Sequence, residues 1–387
     1  MSVFTYSAFE LYTWLTEKED IIVLDVRNKV DFGLFKVESP YPFTMLNISY
    51  FDFMEIEDEC VVQIPRSRPI RVVCAKEGSA KYVSEILIKN GFDDVGYLEG
   101  GIKTWGNLLI PKLLSPSETY ALYQFIRPGK ASCSYALIAQ NELMLFDPSR
   151  NTDFYLNFAK QHSCTIVKTF ETHLQADYIA GSRMIIKKSG ATFMANENDF
   201  KGSKLNYTPL VDKKEYSFSN GGPKIKALFT PGHTPGSTCF IVDNKYMITG
   251  DTVFIRSVGR PDLGGQVKAW SDALFDTLQN LITYADNMEI LPGHYMNWDE
   301  ANSDLNFIAT LAETKDFNKA IYAIDNKKEF LAFIEGNMRK QPDEYATIRL
   351  INANLEQVDN DKAEELDLGK NECAATAYAA QQENAAS

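Results

Sequence analysis

The sequence predicts an α/β protein of two domains, on three observations. These are its length, a strand–helix alternation over roughly the first hundred residues, and a second set of strands that run into histidine-bearing loops. At 387 residues, and about 150 residues per domain, two or three domains are expected. A hydrophobic fraction of 45% against 24% charged supplies enough apolar side chain for each domain to bury a core. The net charge of −13 repels phosphate backbones and anionic headgroups, so neither nucleic acid nor a membrane surface is expected as a partner. No apolar run approaches the roughly 18 residues of a membrane span. The opening residues carry no cationic stretch ahead of an apolar segment, so no secretory signal is expected. The six cysteines, Cys60, Cys74, Cys133, Cys164, Cys239 and Cys373, include no Cys-x-x-Cys pair and do not make a disulfide framework. A reducing cytoplasm is the expected location.

In chain order, a helix is predicted around Ala8 to Leu15, then a short apolar strand at Ile21 to Val26. A second strand, Ile70 to Val73, ends at Cys74. Apolar residues at helical spacing (Val83, Ile86, Leu87) predict a helix over Ala80 to Lys89, stopped by Asn90-Gly91. Val95 to Leu98 reads as the next strand. This βαβ rhythm predicts a small parallel-sheet domain over residues 1–108. Residues 109–117 read as a linker.

The second domain is expected over residues 118–352. Tyr135 to Ala139 and Leu143 to Phe146, separated by Gln140-Asn141, predict a hairpin. Further strands are expected at Thr165 to Phe170, Ile225 to Phe229, Thr238 to Val242, Tyr246 to Thr249 and Met288 to Leu291. Helices are expected near Phe154 to Lys160 and Ala269 to Leu281, giving mixed sheets with helices on both sides. After Asn352 the chain turns polar and alanine-rich. Residues 353–387 are expected to be a partly disordered tail, mobile from Lys370 onward.

Four of these strands lead into residues that can carry chemistry. The first is followed by Thr172-His173-Leu174-Gln175-Ala176-Asp177-Tyr178, the second by Thr230-Pro231-Gly232-His233. The third leads into Gly250-Asp251 and the fourth into Pro292-Gly293-His294. Three of the four histidines thus fall at strand ends, where loops of α/β sheets gather into sites. Two histidines and one carboxylate can share a metal ion and leave coordination positions open, the arrangement of non-haem Fe(II) and dioxygen chemistry. His162 reads as an ordinary surface or cap residue.

Taken together, these motifs resemble the metallo-β-lactamase superfamily over about Tyr120 to Asn352. The segment Gly259-Arg260-Pro261-Asp262-Leu263-Gly264 is similar to its persulfide dioxygenase branch. The resemblance implies an αββα sandwich and one Fe(II) per chain held by His173, His233 and Asp251, with zinc as the alternative. The superfamily's His-x-His-x-Asp-His signature reads here His173, Gln175, Asp177, Tyr178, so two of its histidines are missing. Asp177 and His294 are then remnants of a second metal position, with Gln175 and Tyr178 beside them, and two-metal hydrolysis is disfavoured. Arg256 and Arg260 are candidate anchors for a substrate's negative charge.

Cys74 ends a strand and precedes Ala75-Lys76-Glu77-Gly78-Ser79. Loop amides at a helix N-terminus stabilise a thiolate. With Leu24-Asp25-Val26-Arg27 and the run Leu98 to Trp105, the Cys74 loop resembles a rhodanese domain, which implies that Cys74 carries sulfane sulfur as a persulfide. Its glycine falls one place later than in the common Cys-x-x-Gly-x-Arg loop, and Ser79 replaces the arginine.

The two resemblances together imply a fusion enzyme of sulfide and persulfide metabolism. Its partners would be a low-molecular-weight thiol persulfide and dioxygen, and a homo-oligomer is left open. The persulfide would be oxidised to sulfite at the iron and sulfur would move through Cys74. A zinc-dependent thioester hydrolase, like the hydroxyacylglutathione hydrolases, and a degenerate sulfur-relay protein are the alternatives. Cys373 is expected to be a spectator.

Overall fold

A computed structural model describes residues 2–117 and 119–375. The chain divides into two units, the first built from residues 2–110 with 127–130 and 368–370, the second from the remaining described residues.

The first unit is a five-stranded sheet in the order Phe4–Tyr6, Val95–Leu98, Ile70–Val73, Ile22–Asp25, Thr44–Asn47. Every neighbouring pair is parallel. Ile22–Asp25 and Ile70–Val73 are buried at every position, as strands covered on both faces must be. The helix Ala8–Thr16 begins with a Ser7/Glu10 capping box, which satisfies two otherwise orphaned N–H groups. The helix predicted from Ala80 begins three residues earlier and spans Glu77–Lys89. The Glu77 carboxylate accepts a hydrogen bond from the Gly100 amide at 2.6 Å, which ties the helix start to the turn opposite. Only Ala75 and Lys76 therefore separate Cys74 from the helix.

The second unit is a sandwich of two mixed sheets with helices outside. One sheet has seven strands in the order Thr208–Pro209, Thr192–Ala195, Thr165–Phe170, Glu142–Phe146, Ser132–Ala139, Ala121–Arg127, Ile110–Pro116. The other has six, from Glu215–Tyr216 through Ile225–Phe229, Thr238–Val242, Tyr246–Gly250 and Glu289–Pro292 to Ala309–Thr310. The predicted hairpin is present, with Ala139 paired to Glu142. Rings from both sheets meet between the layers. Phe146 and Phe170 stack with centroids 5.0 Å apart, and Phe240 of the opposite sheet lies 5.3 and 5.1 Å from them. All three are fully buried.

Two expectations are corrected. Ile110–Pro116, read as part of a linker, is the edge strand of the seven-stranded sheet. Its prolines hid it, although an edge is where a sheet tolerates residues without an N–H donor. The tail is also ordered further than expected. Asn360–Leu366 is a helix capped by Asp359, and Cys373, Ala374 and Ala375 are buried in the second unit. Residues 376–387 lie outside the described residues. No helix among the described residues is long and apolar enough to cross a membrane.

Replacing Phe240 by alanine removes the ring that joins the two layers. Its stability to urea should fall by about 3–5 kcal/mol, measured on the second unit's transition.

Candidate metal centre

Each site residue follows a strand of the sandwich. Thr165–Phe170 leads into His173, Ile225–Phe229 into His233, Tyr246–Gly250 into Asp251, and Glu289–Pro292 into His294. The pairing of Tyr246–Gly250 with Glu289–Pro292 shifts register between Ile248 and Gly250, an irregularity of the kind that re-aims the next side chain. Gly250 has φ +49°, and a Cβ there would meet the Thr172 hydroxyl oxygen at 2.3 Å. Gly259 is needed for space alone, since its Cβ would lie 1.8 Å from the Asp251 carbonyl oxygen and 2.9 Å from His233 Nδ1.

The fold brings His173, His233 and Asp251 together, each at most 2% exposed, with one donor atom apiece inside a 4.8 Å cluster. His233 Nε2 is 3.5 Å and His173 Nε2 3.8 Å from Asp251 Oδ2. A tetrahedral ion with bonds of about 2.1 Å spaces its ligand atoms about 3.4 Å apart, so these distances suit three ligands of one ion. None of the three atoms has a hydrogen-bond partner among the described residues. Leaving such groups buried costs about 1–3 kcal/mol apiece, a cost that ligation to a metal removes.

The far nitrogens of the imidazoles are occupied. His233 Nδ1 donates to the Arg260 carbonyl at 2.9 Å. His173 Nδ1 lies 2.9 Å from the Thr172 hydroxyl, which itself donates to Asp147 at 2.8 Å, so the imidazole donates to Thr172. His294 Nδ1 donates to Asp251 Oδ1 at 2.8 Å. The Nε2 atoms of His173 and His233 are thereby left facing Asp251, the tautomer that a metal-ligating histidine takes when its other nitrogen has an acceptor.

Electrostatics agree with this assignment. Burial pushes the His173 imidazole down to about 3 and lowers that of His233, which keeps both neutral and able to ligate. Burial alone would raise the Asp251 carboxyl, but His294, His173 and His233 hold it well below the usual carboxylate range. Burial also opposes charge on His294, yet Asp177 and Asp251 on its two sides raise its imidazole to about 10.

The remaining predicted residues divide. Asp177 and His294 are buried together, with His294 Nε2 2.9 Å from Asp177 Oδ2. Gln175 is buried with its Oε1 unpartnered, and with His173 it lines a cavity of about 20 Å³, room for about one water. Tyr178 directs its hydroxyl to the Asp147 carbonyl at 3.3 Å. The two arginines have partners within the protein. Arg256 pairs with Asp299 at 2.5 Å and lies over the Phe317 ring. Arg260 is buried in a bidentate pair with Asp262 and donates to the carbonyls of Glu372 and Arg339. Both guanidinium groups are engaged by the protein itself. His162 caps the helix Thr152–Gln161 and packs on Phe158.

Three supporting residues escaped the sequence reading. Asp199 accepts from the Leu174 amide at 2.9 Å, the Thr234 hydroxyl at 2.7 Å and the Gly236 amide at 2.6 Å, clamping the loops of both metal-facing histidines. Asn352 donates to the carbonyls of Gln175 and Tyr178 and accepts from the Ala180 amide. Cys373, expected to be a spectator, is buried with its sulfur in one 4.8 Å cluster with donors of Asp177 and His294. A single carboxylate or thiol distant in sequence carries no local signal; the Asn196 cap before Glu197–Phe200 was the only pointer to Asp199. Replacing Asp199 by alanine should weaken metal binding about 10–100-fold, read by competition with a chelator.

Cys74 stands apart from these, in the first unit. It is buried at the end of Ile70–Val73, and its carbonyl accepts from the Ile102 amide at 2.8 Å. A Cβ on Gly101 would strike the Ala75 and Cys74 carbonyl oxygens at 2.6 and 2.8 Å, so the glycine permits the strand end and the turn to meet.

Comparison with known proteins assigns the same two halves. The model of the metallo-β-lactamase superfamily matches residues 128–294, and that of the rhodanese-like domain residues 7–108. A hydroxyacylglutathione hydrolase of Francisella philomiragia is 25% identical over 200 residues, 50% of this chain and 73% of the relative. A metallo-β-lactamase structure from Staphylococcus aureus aligns with a TM-score of 0.54 and 25% identity, over 61% of this chain and 73% of that one. ETHE1 from Myxococcus xanthus aligns with a TM-score of 0.52 and 23% identity, over 61% of this chain and 99% of that one. The chain therefore joins a rhodanese-like domain, residues 7–108, to a metallo-β-lactamase superfamily domain, residues 128–294.

Proposed function

We propose that this chain is a non-haem iron enzyme of sulfide and persulfide metabolism. Its metallo-β-lactamase domain oxidises a low-molecular-weight thiol persulfide with dioxygen, and its rhodanese-like domain transfers sulfane sulfur through Cys74. The observation that carries this reading is the donor set His173, His233 and Asp251. Two imidazoles and a carboxylate suit Fe(II) with positions open, and Gln175 withholds the imidazole that a third nitrogen ligand would need. In the overall reaction a thiol persulfide, dioxygen and water give the free thiol, sulfite and two protons. Four electrons pass from sulfur to dioxygen, and the sulfur–sulfur bond breaks.

Ferrous iron, when bound, supplies the redox chemistry that lets dioxygen react with the sulfane sulfur. The chain's own residues prepare for it. The Arg260 carbonyl and the Thr172–Asp147 pair fix the two imidazoles in the ligating tautomer. His294 holds Asp251 by one oxygen and leaves Oδ2 facing the two histidines. At the other domain, the Cys74 thiolate attacks the outer sulfur of a persulfide, forms the protein persulfide and releases the carrier thiolate. A second thiol takes the sulfur in the reverse sense.

Zinc-dependent thioester hydrolysis is the second reading, favoured by the likeness to the Francisella hydrolase. The two separate on metal content and substrate. Iron-loaded protein should consume oxygen with one or more thiol persulfides in an oxygen-electrode assay. Near-stoichiometric zinc in protein purified without added metal, with thioester turnover and no oxygen uptake, would establish the hydrolase instead. No oxygen uptake after anaerobic Fe(II) reconstitution, and no thioester turnover, would leave a sulfur-relay protein.

Two substitutions divide the activities. His233→Ala should abolish iron retention and oxygen uptake and leave thiosulfate-dependent sulfur transfer intact. Cys74→Ser should do the reverse. Full oxygen uptake in His233→Ala would refute the ligand assignment.

A further inference from the structure

A cavity of about 380 Å³ opens between the strand Ile225–Phe229 and the end of the helix Val267–Leu281. Its volume falls in the range of small-molecule sites, and none of His173, His233 and Asp251 lines it. Leu228, Phe229 and Tyr284 give it half-buried apolar and aromatic walls. Two opposite charges, Asp212 and Lys213, stand exposed at its rim.

The turn that carries these charges is held in place by backbone. The Lys213 amide donates to the Ala227 carbonyl at 2.8 Å. Lys213 takes φ +60°, a left-handed conformation uncommon for a residue with a Cβ. Asp212 Oδ1 accepts from the Phe229 amide at 2.9 Å. Its Oδ2 has no hydrogen bond or ion pair among the described residues, and neither does the Lys213 ammonium. Burial raises the Tyr284 phenol, and Cys239 and then Asp212 add to the shift, so the carboxylate and the ring share one side of the cavity. A ligand's ammonium would meet Asp212, its carboxylate would meet Lys213, and an apolar body would lie on the three walls.

The back of the cavity is the root of the His233 loop. Thr230 is buried in that wall, with its hydroxyl 3.1 Å from the hydroxyl of Thr252, the residue after Asp251. Thr277 donates to the Pro231 carbonyl at 2.7 Å, and a Cβ on Gly232 would lie 2.5 Å from the Leu274 Cα. Helix and loop therefore touch without slack. A ligand held between the strand and the helix bears on the segments that carry His233 and Asp251. We propose that this cavity binds a free amino acid with an apolar or aromatic side chain, as an effector that tightens metal binding at His173, His233 and Asp251. The amino-acid site requires no metal; its effect on the metal rests on the ligand assignment made above.

Isothermal titration of the metal-free full-length protein with L-phenylalanine tests the site. The wild type should bind one equivalent. Phenethylamine, which lacks the carboxylate, and 3-phenylpropionate, which lacks the ammonium, should each bind about tenfold more weakly. Asp212→Asn keeps an acceptor for the Phe229 amide and removes the charge, and Lys213→Gln removes the other charge; each should weaken L-phenylalanine by a similar factor. Asn280→Trp, at an exposed position on the cavity lining, should block binding. Saturating L-phenylalanine should tighten Co(II) binding to the wild type about fivefold or more, read by competition with a chelator, and should leave Asn280→Trp unchanged. No binding, or equal affinity in the wild type and all three variants, would overturn the site. Unchanged Co(II) affinity with L-phenylalanine bound would overturn the effector role. Failure of the wild type to bind Co(II) would overturn that role together with the metal assignment, while the amino-acid site would stand on its own titration.

Discussion

One carboxylate organises the second unit. Asp251 turns Oδ2 toward the Nε2 atoms of His173 and His233 and takes the Nδ1–H of His294 on Oδ1. An isolated carboxylate buried to this depth would be forced toward its neutral form. Here three imidazoles hold the charge in place, and a cation between them is the arrangement that satisfies every inward-facing atom. The surrounding architecture follows from that requirement. A register shift aims the aspartate, and Gly250 and Gly259 let neighbouring backbone come close enough to support it.

Around this centre the fold relies on buried acceptors to fix histidine geometry. Asp147 acts through Thr172, the Arg260 carbonyl acts directly on His233, and Asp199 binds the loops of His173 and His233 to each other. Burial raises the Asp147 carboxyl above the usual carboxylate range, against the hydrogen bonds it accepts from Thr172. Rigid placement of ligands by such partners decides metal affinity as much as the ligands themselves.

The two domains place their candidate functional residues in similar local settings. Rhodanese-like and metallo-β-lactamase domains are separate folding solutions, a parallel sheet and a two-layer sandwich, and each carries its candidate functional residues after a strand. Cys74 ends Ile70–Val73, and the metal-facing side chains follow four strands of the sandwich. Strand ends supply stiff backbone and an open loop together, which suits a nucleophile in one case and ligands in the other.

The sequence by itself determined the alternation of strands and helices, the two domains and the residues His173, His233, Asp251 and His294. Those assignments rest on local patterns, namely apolar runs of strand length followed by Gly, Pro and histidine. Where a local signal was ambiguous the reading failed. Two prolines made the edge strand Ile110–Pro116 look like a connector, and an alanine-rich composition made Cys373 look like part of a loose tail. Only the tertiary structure decided that Arg256 and Arg260 are engaged by the protein, that Asp199 binds two loops, and that Cys373 reaches Asp177 and His294. These are contacts across long sequence separations, set by packing and hydrogen bonding that no window of neighbouring residues contains.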